Sequence, residues 1–309
     1  MPITNHQSHI SNGMDGVLLI DKPSGPTSHD VVARLRRTSG EKSIGHTGTL
    51  DPRATGLLPL VLGRATRLAS FLSGGDKTYV ATIRLGFATD TDDADGRPLG
   101  EPAAALPDDA AVDRSLAGFA GSFEQLPPSH SAKKIGGRKA YELARREEPV
   151  ELKPVAVTVH QIERTGRDGD LVHLAVTATS GFYVRALARD LGTKLGCGAH
   201  LLALRRTRSG SFDVADALPL EDAERLGRDI AGRVLAPAEA LPGLAAVRPT
   251  EAGLRRALHG NPLGPEHLEG RWVPPATSPL PVRIVAPDGR FIALARSRGG
   301  ALHPVVVLG

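Results

Sequence analysis

The run from Gly45 to Gly56, Gly-His-Thr-Gly-Thr-Leu-Asp-Pro-Arg-Ala-Thr-Gly, constrains this chain more than any other stretch. Three glycines and a proline within those positions rule out a helix interior and a regular strand. They predict a tight loop that presents its single carboxylate, Asp51, to whatever approaches closely. A lone loop aspartate is ordinarily a turn or cap residue. The flanking Gly45-His46 and Thr55-Gly56 pairs weigh against that ordinary reading.

The length of 309 residues suits two domains, or one large domain with an appendage. Hydrophobic residues make up 40%, enough for a substantial core. No apolar run reaches the roughly eighteen residues of a membrane helix, so none is expected. Residues 1–13 are polar, lack the apolar segment of a secretory signal and predict a disordered tail; Met14 is an alternative start. Cys197 is the single cysteine, which excludes an internal disulfide and argues against a Cys-based zinc site. The eleven histidines are scattered without paired-ligand spacing. A cytoplasmic protein with no metal, no cofactor and no membrane partner is expected.

The formal net charge is only +4, with a pI near 9.4, but the basic residues are clustered. Arg34, Arg36 and Arg37 form one group, and Lys133, Lys134, Arg138, Lys139, Arg145 and Arg146 a second. Arg205, Arg206 and Arg208 form a third. Each group alone could be a solvated helix face; three groups beside the Asp51 loop predict a polyanionic partner. At 4% aromatic content, extended stacking on single-stranded nucleic acid is not the expected mode.

Hydrophobic periodicity orders the rest. Gly16 to Ile20 reads as a strand, and Ser28 as the N-cap of a helix that stops near Gly40. Leu57 to Leu62 reads as a strand and Arg64 to Leu72 as helical. Lys77 to Gly86 alternates as a strand, with Tyr79, Ala81, Ile83 and Leu85 on one face. Asp90 to Gly96 is acidic, but an EF-hand register puts Thr91 and Pro102 where acids are required, so it predicts a solvated turn. Asp108 to Ala117 and Ala140 to Glu148 read as helices. Two strands, Val155 to Thr165 and Asp170 to Thr179, flank a hairpin signal at Gly166 to Gly169. Tyr183 to Leu195 reads as a helix, and His200 to Arg206 continues helically. Composition shifts to Pro, Ala and Gly near Ala236 to Pro249, which predicts a linker. Beyond it come a helix capped by Thr250 and short strands at Ile284 to Ala286, Phe291 to Ala295 and Pro304 to Leu308.

The Asp51 loop resembles the catalytic motif of the TruB-type tRNA pseudouridine synthases, which reads G-H-T/A-G-T/A-L-D-P-x-A-T/S-G. Further stretches resemble the same family in the same order. They are Asp21-Lys22-Pro23 with Gly25, Thr27 and Ser28; Lys77-Thr78-Tyr79; Ser131 to Lys134 with Gly137 to Arg145; Ser180 to Gly192; and Leu202 to Ser209. Together they cover roughly residues 16–213. One departure is His130, in Pro128-Ser129-His130-Ser131-Ala132, where many members carry an aromatic; it puts that residue's contact in doubt, not the chemistry.

The resemblance implies an α+β fold. A mixed, mostly antiparallel central sheet with flanking helices would hold a catalytic cleft, the pseudouridine synthase fold. A small C-terminal β-rich PUA-like RNA-binding domain would follow. It implies a catalytic domain over 14–238, with a basic RNA-gripping insertion about 124–153, and the PUA-like domain over 245–309. The implied substrate is the T-loop uridine at tRNA position 55, and the implied partner is tRNA, bound by a monomer. Asp51 would start the chemistry, either attacking the anomeric carbon or abstracting a ribose proton. Arg185 would be its ion-pair partner, although a first-turn Arg is ordinarily a surface residue. Tyr79 would stack on the flipped uracil and take part in proton transfer at C5; it also reads as a strand-face core residue. Tyr183 and Leu204 would line the uracil pocket, although Leu204 reads equally as helix core. Lys22 would support the loop or touch phosphate. Lys133 and Arg138 would grip RNA. His46 would fill the space the flipped base leaves.

Three other readings compete with this one. An aspartyl phosphotransferase needs a second nearby aspartate and an apolar strand before the loop, whereas Leu50 follows Thr, Gly and Thr. A non-catalytic tRNA-binding or chaperone protein would not need Asp51, Tyr79 and Arg185 together. A guide-RNA-dependent relative shares the catalytic motif, and the basic insertion favours the stand-alone type.

Overall fold

The computed structural model describes residues 14–128, 152–270 and 280–309, together with the backbone of two short strands at 134–135 and 138–139. The predicted tail 1–13, the predicted helix Ala140 to Glu148 and Lys133 lie outside the described residues. Of Arg138 the description covers the backbone alone.

Strand β1, Gly16–Lys22, leads into helix α1, Ser28–Ser39. Thr27 rather than Ser28 caps α1: its side chain accepts from the Asp30 amide while Asp30 reaches back to the Thr27 amide. Gly40 ends the helix in the left-handed conformation. The short β2, Ile44–His46, precedes the Asp51 loop, and β3, Thr55–Leu62, follows it. A 3-10 turn at Gly63–Leu68 and α2, Ala69–Ser73, return the chain to β4, Lys77–Leu85. The small pair β5, Ala88–Thr89, and β6, Pro98–Leu99, brackets the acidic loop. Then come α3, Asp109–Ala117, β7, Gly121–Gln125, and the two-strand unit β8, Lys134–Ile135, and β9, Arg138–Lys139. The long hairpin β10, Val155–Asp168, and β11, Leu171–Ala178, leads to α4, Val184–Leu195. After it come β12, Ala199–Ser209, the short β13, Phe212–Asp213, and β14, Leu218–Pro219. Helix α5, Leu220–Leu226, closes this part. The C-terminal part holds β15, Ala246–Val247, α6, Glu251–Leu258, β16, Val282–Val285, β17, Phe291–Arg298, and β18, Ala301–Val307.

The main sheet runs β14-β1-β3-β12-β4-β11-β10-β7, with β2 and β13 as side pairings. Only β1–β14 and β3–β12 pair parallel; the other neighbours are antiparallel. The mixed, mostly antiparallel expectation holds. One face packs α4 and α3 over Ala81, Ile83, Leu174 and Val176. Helices α1 and α5 cover Leu18, Ile20, Leu58 and Leu60. The alternation expected for β4 is present: Tyr79, Ala81, Ile83 and Leu85 are buried, while Val80 is 46% exposed.

Two expectations about the larger architecture fail as well. His200 to Arg206 is strand, not helix, paired along its length with β4. Bulges between Leu201 and Ala203 and between Arg206 and Arg208 break the two-residue alternation that would have marked it. The expected linker near Ala236 to Pro249 is packed instead: Ala240 and Leu241 are buried, and Arg283 donates to the carbonyls of Ala238 and Leu244. The four-stranded C-terminal sheet β15-β16-β17-β18 shares a core with the main sheet. Phe291, Leu294, Val306 and Leu308 pack with Val17, Leu19, Val61 and Leu72.

Candidate active site

The Asp51 loop is a short connection pinned at nearly every residue. Thr47 donates its amide to Pro59. Gly48 accepts from Arg206 at 3.1 Å. The buried Ser28 hydroxyl accepts from the Leu50 amide at 2.9 Å and donates to the Leu50 carbonyl at 3.0 Å, closing both backbone groups of the residue before Asp51. Pro52 accepts from the Gly25 amide and from Lys22. Ala54 donates to the Asp51 carbonyl, a β-turn centred on Pro52 and Arg53. Leu50 and Ala54 insert into the core on either side. The Asp51 carboxylate projects from this pinned loop, its side chain 45% exposed.

That carboxylate meets Arg185. Nε of Arg185 lies 3.0 Å from Oδ2 of Asp51, with the Arg185 side chain 7% and the Asp51 side chain 45% exposed. Arg185 stands in the first turn of α4, whose start is fixed by Gln125: its side chain donates to the Tyr183 carbonyl and accepts the Tyr183 amide. The second arm of the guanidinium reaches Asp93 at 3.3 Å and the Thr91 carbonyl at 3.3 Å. One cation therefore bridges the Asp51 loop and the acidic loop. The protein crowding Asp51 withdraws water and pushes its pKa up, Arg185 and Lys22 push it down, and Asp93 and Asp95 push it up again; the net direction is up.

Three family models match the chain. One described as TruB family pseudouridylate synthase (N terminal domain) covers residues 36–184; one described as tRNA pseudouridylate synthase B C-terminal domain covers 185–241; one described as tRNA Pseudouridine synthase II, C terminal, covers 255–309. A tRNA pseudouridine synthase B of Thermobifida fusca (strain YX) is 46% identical over 302 residues, 95% of this chain and 98% of that relative. This chain belongs to the TruB family. A second tRNA pseudouridine synthase B, of Leifsonia xyli subsp. xyli (strain CTCB07), is 44% identical over 94% of this chain and 95% of its own. Among solved structures, a crystal structure of a Cbf5–Nop10–Gar1 complex matches at a TM-score of 0.73 and 26% identity, over 96% of this chain and 84% of that one.

Within this TruB-family fold the other sequence-predicted residues lie on β1, β2, β4 and β12 and at the start of α4. Tyr79 is 8% exposed on β4, opposite Arg206 in the β4–β12 register. Leu204 is half-buried on β12 and packs against both catalytic-side cores, so it is strand wall rather than helix core. A groove of about 360 Å³ opens beside it, lined by Arg53, Thr55, Val80 and Arg205 among others. Tyr183 is half-buried at the N-cap of α4. His46 ends β2 with its ring edge-on to His29, centroids 5.3 Å apart. Lys22 is fully buried, and its ammonium donates to the carbonyls of Pro23, Pro26 and Pro52 at 2.8–3.0 Å. The bond to Pro52 ties it to the Asp51 loop.

Four features escaped the sequence reading. Ser28 is the loop's pin rather than a helix cap. Arg206 belongs by sequence to the third basic group, yet it is 1% exposed and donates to the Leu57 and Gly48 carbonyls. Its neighbour Arg205 is committed to Asp21 through two bonds at 2.7 and 3.0 Å. The third basic group is therefore largely structural. The acidic loop is not a solvated turn: Asp93 pairs with Arg185, Asp92 with Arg189 and Asp95 with Arg53. The signal available for Arg206 was its place between Leu204 and Thr207 opposite a tyrosine strand, but a single sequence does not show which strands are neighbours.

Proposed function

We propose that this chain isomerises the T-loop uridine at position 55 of tRNA to pseudouridine, with Asp51 as the reacting group. The reaction breaks the bond from the ribose anomeric carbon to uracil N1 and forms one to C5. The proton on C5 is lost and N1 gains one, so substrate and product are isomers. Asp51 opens the sequence by attacking the anomeric carbon or by abstracting a ribose proton. Arg185 holds it as a carboxylate and fixes its direction. The single observation carrying this reading is the 3.0 Å Asp51–Arg185 pair, on a loop held in place by Ser28, Lys22 and Arg206.

Tyr79 and Tyr183 are the aromatic contacts for the extruded base, and Leu204 is its apolar wall. His46 takes the space the base leaves in the tRNA loop, since unstacking must be compensated. Lys22 supports the loop. Lys133 and Arg138, in an insertion about 124–153, grip the RNA backbone. In this reading 14–238 is the catalytic domain, 245–309 a PUA-like RNA-binding domain, 1–13 a disordered tail, and the protein acts as a cytoplasmic monomer. No helix among the described residues is long and apolar enough to cross a membrane.

The test is tritium release from tRNA labelled at uridine C5. Wild-type chain is expected to release it, and Asp51→Asn to release none while still binding tRNA. Normal release by Asp51→Asn would remove Asp51 from its role. Binding without release by either would favour a non-catalytic tRNA-binding protein.

A further inference from the structure

We infer that Asp92 and Arg189 form a second ion-pair rung that positions Arg185, and through it Asp51, for the chemical step. Arg189 lies one helical turn beyond Arg185 on α4, so the two guanidinium groups project from one face. Arg185 takes Asp93 at 3.3 Å, and Arg189 takes Asp92 at 3.1 Å. Both side chains of the second pair are sheltered, 26% exposed for Arg189 and 13% for Asp92.

Two consecutive residues of an extended chain send their side chains to opposite sides. Here two consecutive carboxylates face the same helix. The backbone achieves this with Asp92 in the left-handed region at φ 62°, the one non-glycine residue with positive φ among the described residues. Aspartate and asparagine tolerate that conformation better than other side chains, yet it is uncommon. It is held from both sides: the Asp92 amide donates to Thr89, the Leu201 amide donates to Asp92, and the Ala94 amide donates to Leu201. The Thr91 hydroxyl donates to Asp93 at 2.6 Å, turning that carboxylate toward Arg185. Arg189 in turn donates to the Leu126 carbonyl and to Asp190. The second rung thus joins the acidic loop, α4 and the end of β7, and Arg189 stands where the family motif leaves the residue open.

Arg185 needs this support. It serves Asp51, Asp93 and the Thr91 carbonyl with one guanidinium, and the last two flank Asp92 on the acidic loop. Thr91 and the Asp95 amide hold the Asp93 carboxylate within the acidic loop, so opening the Asp92–Arg189 rung shifts that loop as a unit and Arg185 with it. Asp92 and Arg189 are positioning residues and touch no reacting atom.

This inference rests on Asp51 as the reacting group, so Asp51→Asn is measured alongside. The experiment is single-turnover tritium release with enzyme in excess, as a function of pH, for Asp92→Asn, Arg189→Gln, their double variant and Arg189→Lys, with tRNA affinity and melting temperature. Asparagine keeps the left-handed backbone. Asp92→Asn and Arg189→Gln are each expected to slow release about tenfold, with tRNA affinity within about twofold. The double variant is expected to be no slower than the worse single one, and Arg189→Lys to recover most of the rate. The acid limb of the rate should move to higher pH, because a displaced Arg185 no longer holds the Asp51 pKa down. The groups facing Asp51 are Arg185, Lys22, Asp93 and Asp95; those facing Asp92 are Arg189, Arg185 and Asp190. A lower melting temperature with an unmoved rate and acid limb would make the rung merely structural and overturn the inference. Dead Asp51→Asn beside wild-type rates in Asp92→Asn and Arg189→Gln would overturn it alone. Normal release by Asp51→Asn would overturn the reading beneath it.

Discussion

Lys22, Lys77, Arg185 and Arg206 are buried side chains around one loop. Arg185 meets carboxylates; the other three spend their donors on backbone carbonyls. A buried cation is costly, so these positions hold only because each satisfies several carbonyls at once. The cost is visible in the pKa: burial pushes Lys22 and Lys77 from the ordinary 10.5 down to about 8, against the pull of Asp51 on Lys22. For a cation whose folded pKa lies below its unfolded value, the unfolded chain binds more protons between the two values. Stability therefore rises as pH goes from about 8 towards 10.5. The urea midpoint of the wild type is expected to climb over that window. Lys22→Met should flatten the climb and lower the midpoint at pH 7, because the carbonyls of Pro23, Pro26 and Pro52 lose their shared donor. An identical slope in the variant would show that Lys22 does not titrate there. At this scale the sequence carried Asp51, Arg185 and Lys22 through motif alone, but not Ser28 or Arg206. Their roles depend on contacts across 22 and 149–158 residues of chain.

At the scale of elements, β12 decides the architecture of the site. It pairs parallel with β3 and antiparallel with β4, and so carries Leu204 and Arg206 between the Asp51 loop and Tyr79. Its parallel pairing sets Arg205 against Thr55 and Arg206 against Gly56, which sits at φ 96° with the Arg206 backbone so close that an added Cβ would meet the Arg206 carbonyl oxygen at 2.3 Å. Gly56→Ala is expected to destabilise the fold by about 2–4 kcal/mol, from left-handed strain plus a backbone clash that no rotamer relieves. Urea unfolding measures it; a loss within about 0.5 kcal/mol, the usual range of a neutral surface change, would sink the close-approach account. The helical expectation for His200 to Arg206 failed because local propensity is a weak prior against a full-length strand pairing. Where no bulge intervened, as in β4, the alternation predicted both the strand and its buried face.

Across the whole molecule, the main sheet and the C-terminal sheet share one core. Leu294 of β17 is fully buried in the core that also holds Val17 and Val61 of the main sheet. Arg64 adds bonds from the main part to the Leu308 carbonyl, and Arg67 to that of Val307. Leu294→Ala is expected to cost about 2–5 kcal/mol and to shift a single thermal transition. Two resolved transitions, one insensitive to the substitution, would show that the sheets unfold apart. The composition shift near Ala236 marked the change of segment, but not that the segment is packed. Pro, Ala and Gly serve an exposed tether and a tightly laid chain equally well.

The sequence by itself determined the Asp51 loop, the strand and helix periods that bury one face each, and the order of motifs that carries the family. These are local: glycine, proline, spacing and alternation act within a few residues. Tertiary structure alone decided that Ser28 closes the loop, that Arg206 is core rather than surface, and that the acidic turn grips Arg185 and Arg189. A charge on a surface and a charge in a cleft have the same letter. What separates them is which distant strand or helix arrives beside it, and that depends on pairing and packing of the whole chain.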